Sequence, residues 1–161
     1  MSPFRMDAAP GHYENFPVAS LLCPPRLRGA VVALYHFART ADDLADEGDA
    51  PAQERLDALS RYREQLALAA HSPPPAQSEW AWVFGPLHTV LVNHDVPLSL
   101  LHALLDAFVQ DVDMTARQAG YRDEAQLRDY CSRSANPVGR LLLHLYGVGN
   151  PQALEQSDAI C

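Results

Sequence analysis

The chain has 161 residues, 48% of them hydrophobic, which is enough length and apolar content for one globular domain with a buried core. Its formal net charge is −8, so no basic patch is expected to neutralise phosphates, and nucleic-acid binding is excluded as a function. The three cysteines, Cys23, Cys131 and Cys161, show neither a disulfide framework nor a zinc-ligand spacing, as is typical of a reducing cytoplasm. No apolar run reaches membrane-spanning length and no signal-peptide pattern opens the chain, so we expect a cytoplasmic protein.

Every long segment of the sequence predicts an α-helix, and none predicts a β-strand. Residues with positional preferences mark the boundaries: Pro51 predicts a first helical position, whereas Asp123 and Asn150 predict N-terminal caps. Ser78 is also predicted to cap a helix, which Pro86 should break or kink. The predicted helices cover about 17–22, 25–47, 51–71, 78–94, 97–118, 123–145 and 151 to the end.

The stretch from Arg39 to Gly48 ends the helix predicted over 25–47 and holds four carboxylates. On a helix, Asp42 and Asp46 lie on one face, and Arg39 lies on the same side three residues earlier. Gly48 is predicted to close the helix. Acids are unfavourable there, because the C-terminus is the negative end of the helix macrodipole and like charges four residues apart repel. Two interpretations stay open: a solvated acidic helix end, or carboxylates that hold Mg²⁺ together with water and a phosphate-bearing substrate.

Other candidate patterns are weaker. Asp111 lies on the same helical face as Phe108, on the helix predicted over 97–118. Pro137 should kink the next helix, and the small residues around it should let another element approach the backbone. An EF-hand calcium loop starting at Asp42 is excluded because its third position would be Leu44. The histidines show no metal-ligand motif, so core or surface roles are expected for them.

Three stretches in this order resemble the squalene/phytoene synthase family: Asn-Phe-Pro-Val-Ala-Ser-Leu-Leu-Cys-Pro over 15–24, Tyr-His-Phe-Ala-Arg-Thr-Ala-Asp-Asp-Leu-Ala-Asp-Glu over 35–47, and Tyr-Cys-Ser-Arg-Ser-Ala-Asn-Pro-Val-Gly over 130–139. The wording of the first stretch is closest to the hopanoid-pathway branch of squalene or hydroxysqualene synthases. The resemblance implies an all-α isoprenoid synthase-type helical bundle, with residues 1–161 forming a single domain. Members condense or rearrange prenyl diphosphates, using Mg²⁺ bound by two aspartate-rich motifs.

The resemblance also implies roles for particular residues. Asp42 and Asp46 would bind the metal, and Arg39 and Tyr35 would contact diphosphate or shape the site. The implied reaction converts presqualene diphosphate to hydroxysqualene, or condenses farnesyl diphosphate to squalene, with a phytoene synthase-like condensation as the alternative. The residues implied to contact substrate are Asn15, Phe16, Tyr130, Ala135, Val138 and Gly139.

One family feature is missing from these residues. The second aspartate-rich motif should lie about one helix beyond Gly139, after residue 161, and Asp111 and Asp113 come too early to replace it. We therefore expect a truncated member, or one half of a split gene, that is inactive alone and pairs with a C-terminal half. The very apolar products expected of the family predict peripheral membrane contact. A non-catalytic helical interaction protein stays open as the alternative.

Overall fold

Residues 23–161 are described by a computed structural model, in which they form seven α-helices and no strand, as the sequence predicts. The helix predicted over 17–22 and the candidate contacts Asn15 and Phe16 lie outside the described residues. None of the described helices is long and apolar enough to cross a membrane. The helices are α1 Pro25–Asp46, α2 Ala52–Ala69, α3 Ala81–His94, α4 Leu98–Ala116, α5 Glu124–Ser134, α6 Asn136–Leu145 and α7 Pro151–Ile160.

The core forms where α1 packs against α2, α3 and α4, and its centre is aromatic. Tyr62 of α2 is fully buried, and its ring stacks on Phe37 of α1 at 5.4 Å and lies 4.7 Å from Phe84 of α3. Its hydroxyl donates a hydrogen bond to the carbonyl of Phe37 at 3.0 Å. Burial raises the pKa of Tyr62, so the hydroxyl stays protonated as the donor. This contact fixes the middle of α1 and so the direction in which its acidic end points.

The start of α3 differs from the prediction. Ser78 does not cap the helix: its carbonyl accepts from the amide of Ala81 in a preceding turn, and α3 begins at Ala81. Pro86 does not break α3 either, since the helix continues to His94. Within α3, Pro86 removes only one backbone hydrogen bond, and its ring is exposed. The helix continues because buried neighbours such as Leu87 hold it against the core.

Pro137 marks a boundary instead of the predicted kink. α5 ends at Ser134 and α6 begins at Asn136, with Ala135 between them. Pro137 is then the second residue of α6, where a missing amide hydrogen is tolerated because the first turn has no intrahelical acceptor for it. The predicted continuous helix over 123–145 is therefore two helices.

The caps predicted at Asp123 and Asn150 and the helix end predicted at Gly48 are confirmed. The side chain of Asp123 accepts from the amide of Gln126, and that of Asn150 accepts from the amide of Ala153, both at 2.8 Å. Gly48 adopts a φ of +78°, the left-handed conformation that glycine favours after a helix. Pro51, predicted as the first helical residue, is instead the cap of α2, which begins one residue later at Ala52.

Candidate active site

A cleft of about 530 Å³ lies between the C-terminal end of α1 and the second half of α4. Asp42 and Asp46 line it from α1, as their four-residue spacing predicts, and Asp111 lines it from α4. Packing of α1 against α4 brings the third carboxylate opposite the other two. The remaining lining residues are Ala45, Ala50, Ala52, Arg55, Phe108, Val112, Thr115 and Ala116.

Asp111, which the sequence analysis named only as a weaker candidate, lines the cleft. The hydroxyl of Tyr130 donates to Asp111 Oδ2 at 2.6 Å, which ties α5 to the cleft wall. Burial raises the pKa of Asp111, and the charges of Asp42 and Asp46 raise it further, whereas the hydrogen bond from Tyr130 opposes the shift. The sequence feature that pointed to Asp111 was its helical spacing from Phe108, which places both side chains on one face of α4. Both residues line the cleft.

Arg39 binds acidic side chains of its own helix. Its guanidinium lies 2.8 Å from Asp42, 2.7 Å from Asp43 and 2.8 Å from Glu47. The contact with Asp43 Oδ1 is an ion pair, and this buried oxygen accepts no hydrogen bond from the described residues. Burial raises the pKa of Asp43, and Arg39 opposes the shift. In contrast, Asp46 makes no hydrogen bond or ion pair with any described side chain.

The acidic end of α1 has two sides. Asp43 and Glu47 line a second cleft of about 420 Å³ between α1 and α2. They therefore face away from Asp42 and Asp46, as the helical period requires. Arg39 neutralises one side and reaches Asp42 at the edge of the other. In the cleft shared with α4, Asp46 and Asp111 have no ion-pair partner among the described residues, and Arg55 also lines that cleft.

The donor chemistry of the cleft fits Mg²⁺. The ion takes hard oxygen ligands, and proteins commonly supply one or two carboxylates while water and substrate phosphate supply the rest. Asp42 and Asp46 offer those two carboxylates from one helical face. Among residues 23–161, no group of three or more His, Cys, Asp or Glu side chains is arranged around a common point as a metal site. The described residues therefore suit an ion whose remaining ligands are water and substrate phosphate, rather than an ion coordinated entirely by protein side chains.

The other predicted site residues lie around the cleft rather than in it. Tyr35 lies on α1 two turns before Asp42, with its ring 5.7 Å from that of His36. Ala135 joins α5 to α6, and Val138 is 44% exposed. Gly139, expected at a prenyl tunnel, faces α7: a Cβ there would lie 2.3 Å from Ser157 Oγ. Its small size admits a neighbouring helix, as the sequence predicted for this segment.

Comparison with known proteins identifies the family. A model of the squalene/phytoene synthase family matches residues 9–161. The hydroxysqualene synthase of Zymomonas mobilis is 36% identical over 94% of this chain and 48% of its own length. The presqualene diphosphate synthase of Rhodopseudomonas palustris is 31% identical over 89% of this chain and 48% of its own length. The chain thus spans about half the length of the curated relatives it matches.

The crystal structure of squalene synthase HpnC from Alicyclobacillus acidocaldarius superposes on this chain with a TM-score of 0.77 and 34% sequence identity. The match covers 93% of this chain and 52% of HpnC. The predicted isoprenoid synthase-type helical bundle is therefore confirmed. On the residues matched by the family model, this chain belongs to the squalene/phytoene synthase family.

Proposed function

We propose that this chain provides a Mg²⁺-binding diphosphate site for an enzyme of squalene or hopanoid biosynthesis. The substrate is a prenyl diphosphate, and the reaction converts presqualene diphosphate to hydroxysqualene or condenses farnesyl diphosphate to squalene. The observation that supports the proposal is the cleft in which Asp42 and Asp46 face Asp111. Relatives named for hydroxysqualene and presqualene diphosphate synthesis support the substrate class.

The acidic end of α1 binds the diphosphate end of the substrate in this proposal. Asp42 and Asp46 are the metal ligands, and they lie one turn apart so that both face the same phosphates. Arg39 holds the Asp42 carboxylate at 2.8 Å, and Tyr35, one turn earlier on α1, shapes the same end of the site. Bound Mg²⁺ supplies charge neutralisation of the diphosphate as its carbon–oxygen bond breaks.

Apolar surface next to the acids is proposed to hold the prenyl chain and to exclude water from it. Phe108 and Val112 line the same cleft as the carboxylates. Val138 and Leu142 on α6, and Tyr146 directly after it, follow one another at four-residue spacing and are 44%, 39% and 44% exposed. Since α6 packs against both α1 and α4, this stripe borders the helices that form the cleft.

The metal assignment is tested by binding of Mn²⁺, a spectroscopic substitute for Mg²⁺, in the presence of inorganic pyrophosphate. Asp42→Asn and Asp46→Asn should each weaken Mn²⁺ binding by about tenfold or more, because each removes one of the two protein ligands of the ion. Asp113→Asn is the matched control: Asp113 lies on α4 but pairs with Arg117 at 2.7 Å, outside the cleft. Equal Mn²⁺ affinity in the wild type and both site variants would show that the assignment is wrong.

The substrate is tested separately. With Mg²⁺ present, presqualene diphosphate and farnesyl diphosphate are compared as ligands by calorimetry, and products are identified by mass spectrometry. Presqualene diphosphate should bind more tightly, and any product formed from it should be hydroxysqualene. Tighter binding of farnesyl diphosphate would favour the condensation instead, which can give squalene only when a hydride donor is also supplied. We expect binding without turnover from residues 1–161 alone, and turnover by this chain on its own would contradict that expectation.

The stripe on α6 also favours a second candidate function, a helical subunit that pairs with a C-terminal half. Val138, Leu142 and Tyr146 form a continuous apolar edge that a partner helix could cover. Mixing the chain with a polypeptide that represents the C-terminal half of a relative should then give a complex by sedimentation, and Leu142→Ser should weaken it. A chain that sediments as a monomer in that mixture would exclude this candidate.

A further inference from the structure

The backbone carbonyls at the end of α1 receive no hydrogen bond from a basic side chain of their own helix among the described residues. The last turn contains no basic residue, and the helix ends at Asp46. The final carbonyls of any helix lack intrahelical partners and form the negative end of the macrodipole. An acidic last turn adds to that negative charge. Arg39 offsets it at the carboxylates of Asp42, Asp43 and Glu47, whereas the carbonyls need a donor from another element.

Arg55, the fourth residue of α2, provides it. Nη1 donates to the carbonyl of Ala45 at 2.9 Å, Nη2 to that of Gly48 at 2.6 Å, and Nε to that of Ala50 at 2.9 Å. Ala45 belongs to the last turn of α1, whereas Gly48 and Ala50 belong to the connection between α1 and α2. All three acceptors are backbone oxygens, so the guanidinium fixes the path of the main chain on both sides of Asp46.

The three carboxylates of the cleft are held in different ways. Asp42 pairs with Arg39, and Asp111 accepts from Tyr130. Asp46 has neither kind of partner among the described side chains. Among the described residues, the position of Asp46 is therefore set by the main chain that carries it, and Arg55 is a side chain that holds this stretch of main chain.

We propose that Arg55 is a positioning residue for Asp46. By holding the carbonyls before and after Asp46, it fixes where the Asp46 carboxylate stands in the cleft. The inference rests on the proposed function, in which Asp46 binds Mg²⁺. Lysine cannot take over this role: it keeps the positive charge, but its single ammonium cannot reproduce the planar fork of donors that reaches three separate carbonyls.

The test compares the wild-type chain with Arg55→Lys and with Arg61→Lys. Arg61 lies on the same helix and makes no hydrogen bond or ion pair with any described residue, so its variant is a matched control for the change of side chain. Two quantities are measured: hydrogen exchange of the Glu47 amide, which donates to the Asp43 carbonyl in the last turn of α1, and the Mn²⁺ affinity with inorganic pyrophosphate.

Arg55→Lys should speed exchange of the Glu47 amide by about tenfold or more, because hydrogen bonds from a charged donor to this turn are lost. It should also weaken Mn²⁺ binding by about fivefold to tenfold, since the Asp46 carboxylate is no longer fixed. In Arg55→Lys, hydrogen exchange in the middle of α4 should stay within about twofold of the wild type. In Arg61→Lys, the exchange rate of the Glu47 amide and the Mn²⁺ affinity should both stay within the same range.

Unchanged exchange at Glu47, or faster exchange with unchanged Mn²⁺ affinity, would overturn the inference. If Arg55→Lys unfolds the chain as a whole, exchange accelerates in α4 too, and Arg55→Gln is then measured against the same two criteria. Failure of the proposed function gives a different result: the wild-type chain itself would not bind Mn²⁺ with pyrophosphate, and the inference would fail with it.

Discussion

Tyr130→Phe removes the hydroxyl that donates to Asp111 Oδ2 at 2.6 Å and leaves the aromatic ring in place. Hydrogen bonds to a charged acceptor contribute roughly 1.5–3 kcal/mol to stability, and those between neutral groups roughly 1 kcal/mol. Asp111 is only partly buried, so water replaces some of the lost interaction in the variant. We therefore expect Tyr130→Phe to lower the free energy of unfolding by about 2 kcal/mol at pH 8, well above the ordinary pKa of an aspartate carboxyl group.

A double-mutant cycle with Asp111→Asn isolates the charged part of this hydrogen bond. Asparagine keeps an oxygen acceptor for Tyr130 but removes the charge that burial and the cleft carboxylates disfavour. In the Asn background, Tyr130→Phe should lower the free energy of unfolding by only about 1 kcal/mol, which gives a coupling energy of about 1 kcal/mol. The four chains are compared by urea unfolding at pH 8.

The control for removing a tyrosine hydroxyl is Tyr121→Phe. The ring of Tyr121 lies 5.4 Å from that of Tyr130, but its hydroxyl has no hydrogen-bond partner among the described residues. Its variant should change the free energy of unfolding by less than about 0.5 kcal/mol. A coupling energy below about 0.3 kcal/mol would refute the reasoning, because the charge of Asp111 would then add nothing to its hydrogen bond with Tyr130.

Two further predictions concern the packing of α7 on α6. The hydrogen bonds from Arg140 hold the pKa of Asp158 below its ordinary value, so this pair stabilises the fold above about pH 4 and the stabilisation is lost as the pH falls through the lowered pKa. Asp158→Asn should thus lower the free energy of unfolding by about 1 kcal/mol at pH 7 and by much less near pH 3, and an equal loss at both would contradict this. Gly139→Ala places a methyl group 2.3 Å from Ser157 Oγ, so crowding of roughly 2 kcal/mol should outweigh a gain of about 1 kcal/mol in helix propensity. Urea unfolding should show a net loss that Ser157→Ala partly restores, and a Gly139→Ala chain more stable than the wild type would show that α7 is loosely packed.

Interactions between near neighbours in the chain were predicted correctly from the sequence. Asp123 and Asn150 cap their helices because the acceptor and the amide it satisfies are three residues apart. Ser78 and Pro86 were predicted wrongly for the opposite reason. The rules for caps and prolines describe an isolated helix, whereas the start and continuity of α3 depend on its buried side of Val83, Phe84 and Leu87.

By itself, the sequence determined that the chain is helical, which family it resembles, and that Asp42 and Asp46 share a face, because a four-residue spacing is close to one helical turn. Only the tertiary structure decided what surrounds that face. Asp111 is 65 residues from Asp46 in the chain, and α1 and α4 must pack before it lines the same cleft. Arg55 likewise reaches the end of α1 only after α2 folds back against it. Local periodicity specifies which residues point to one side of a helix, but packing between helices decides which charges meet there.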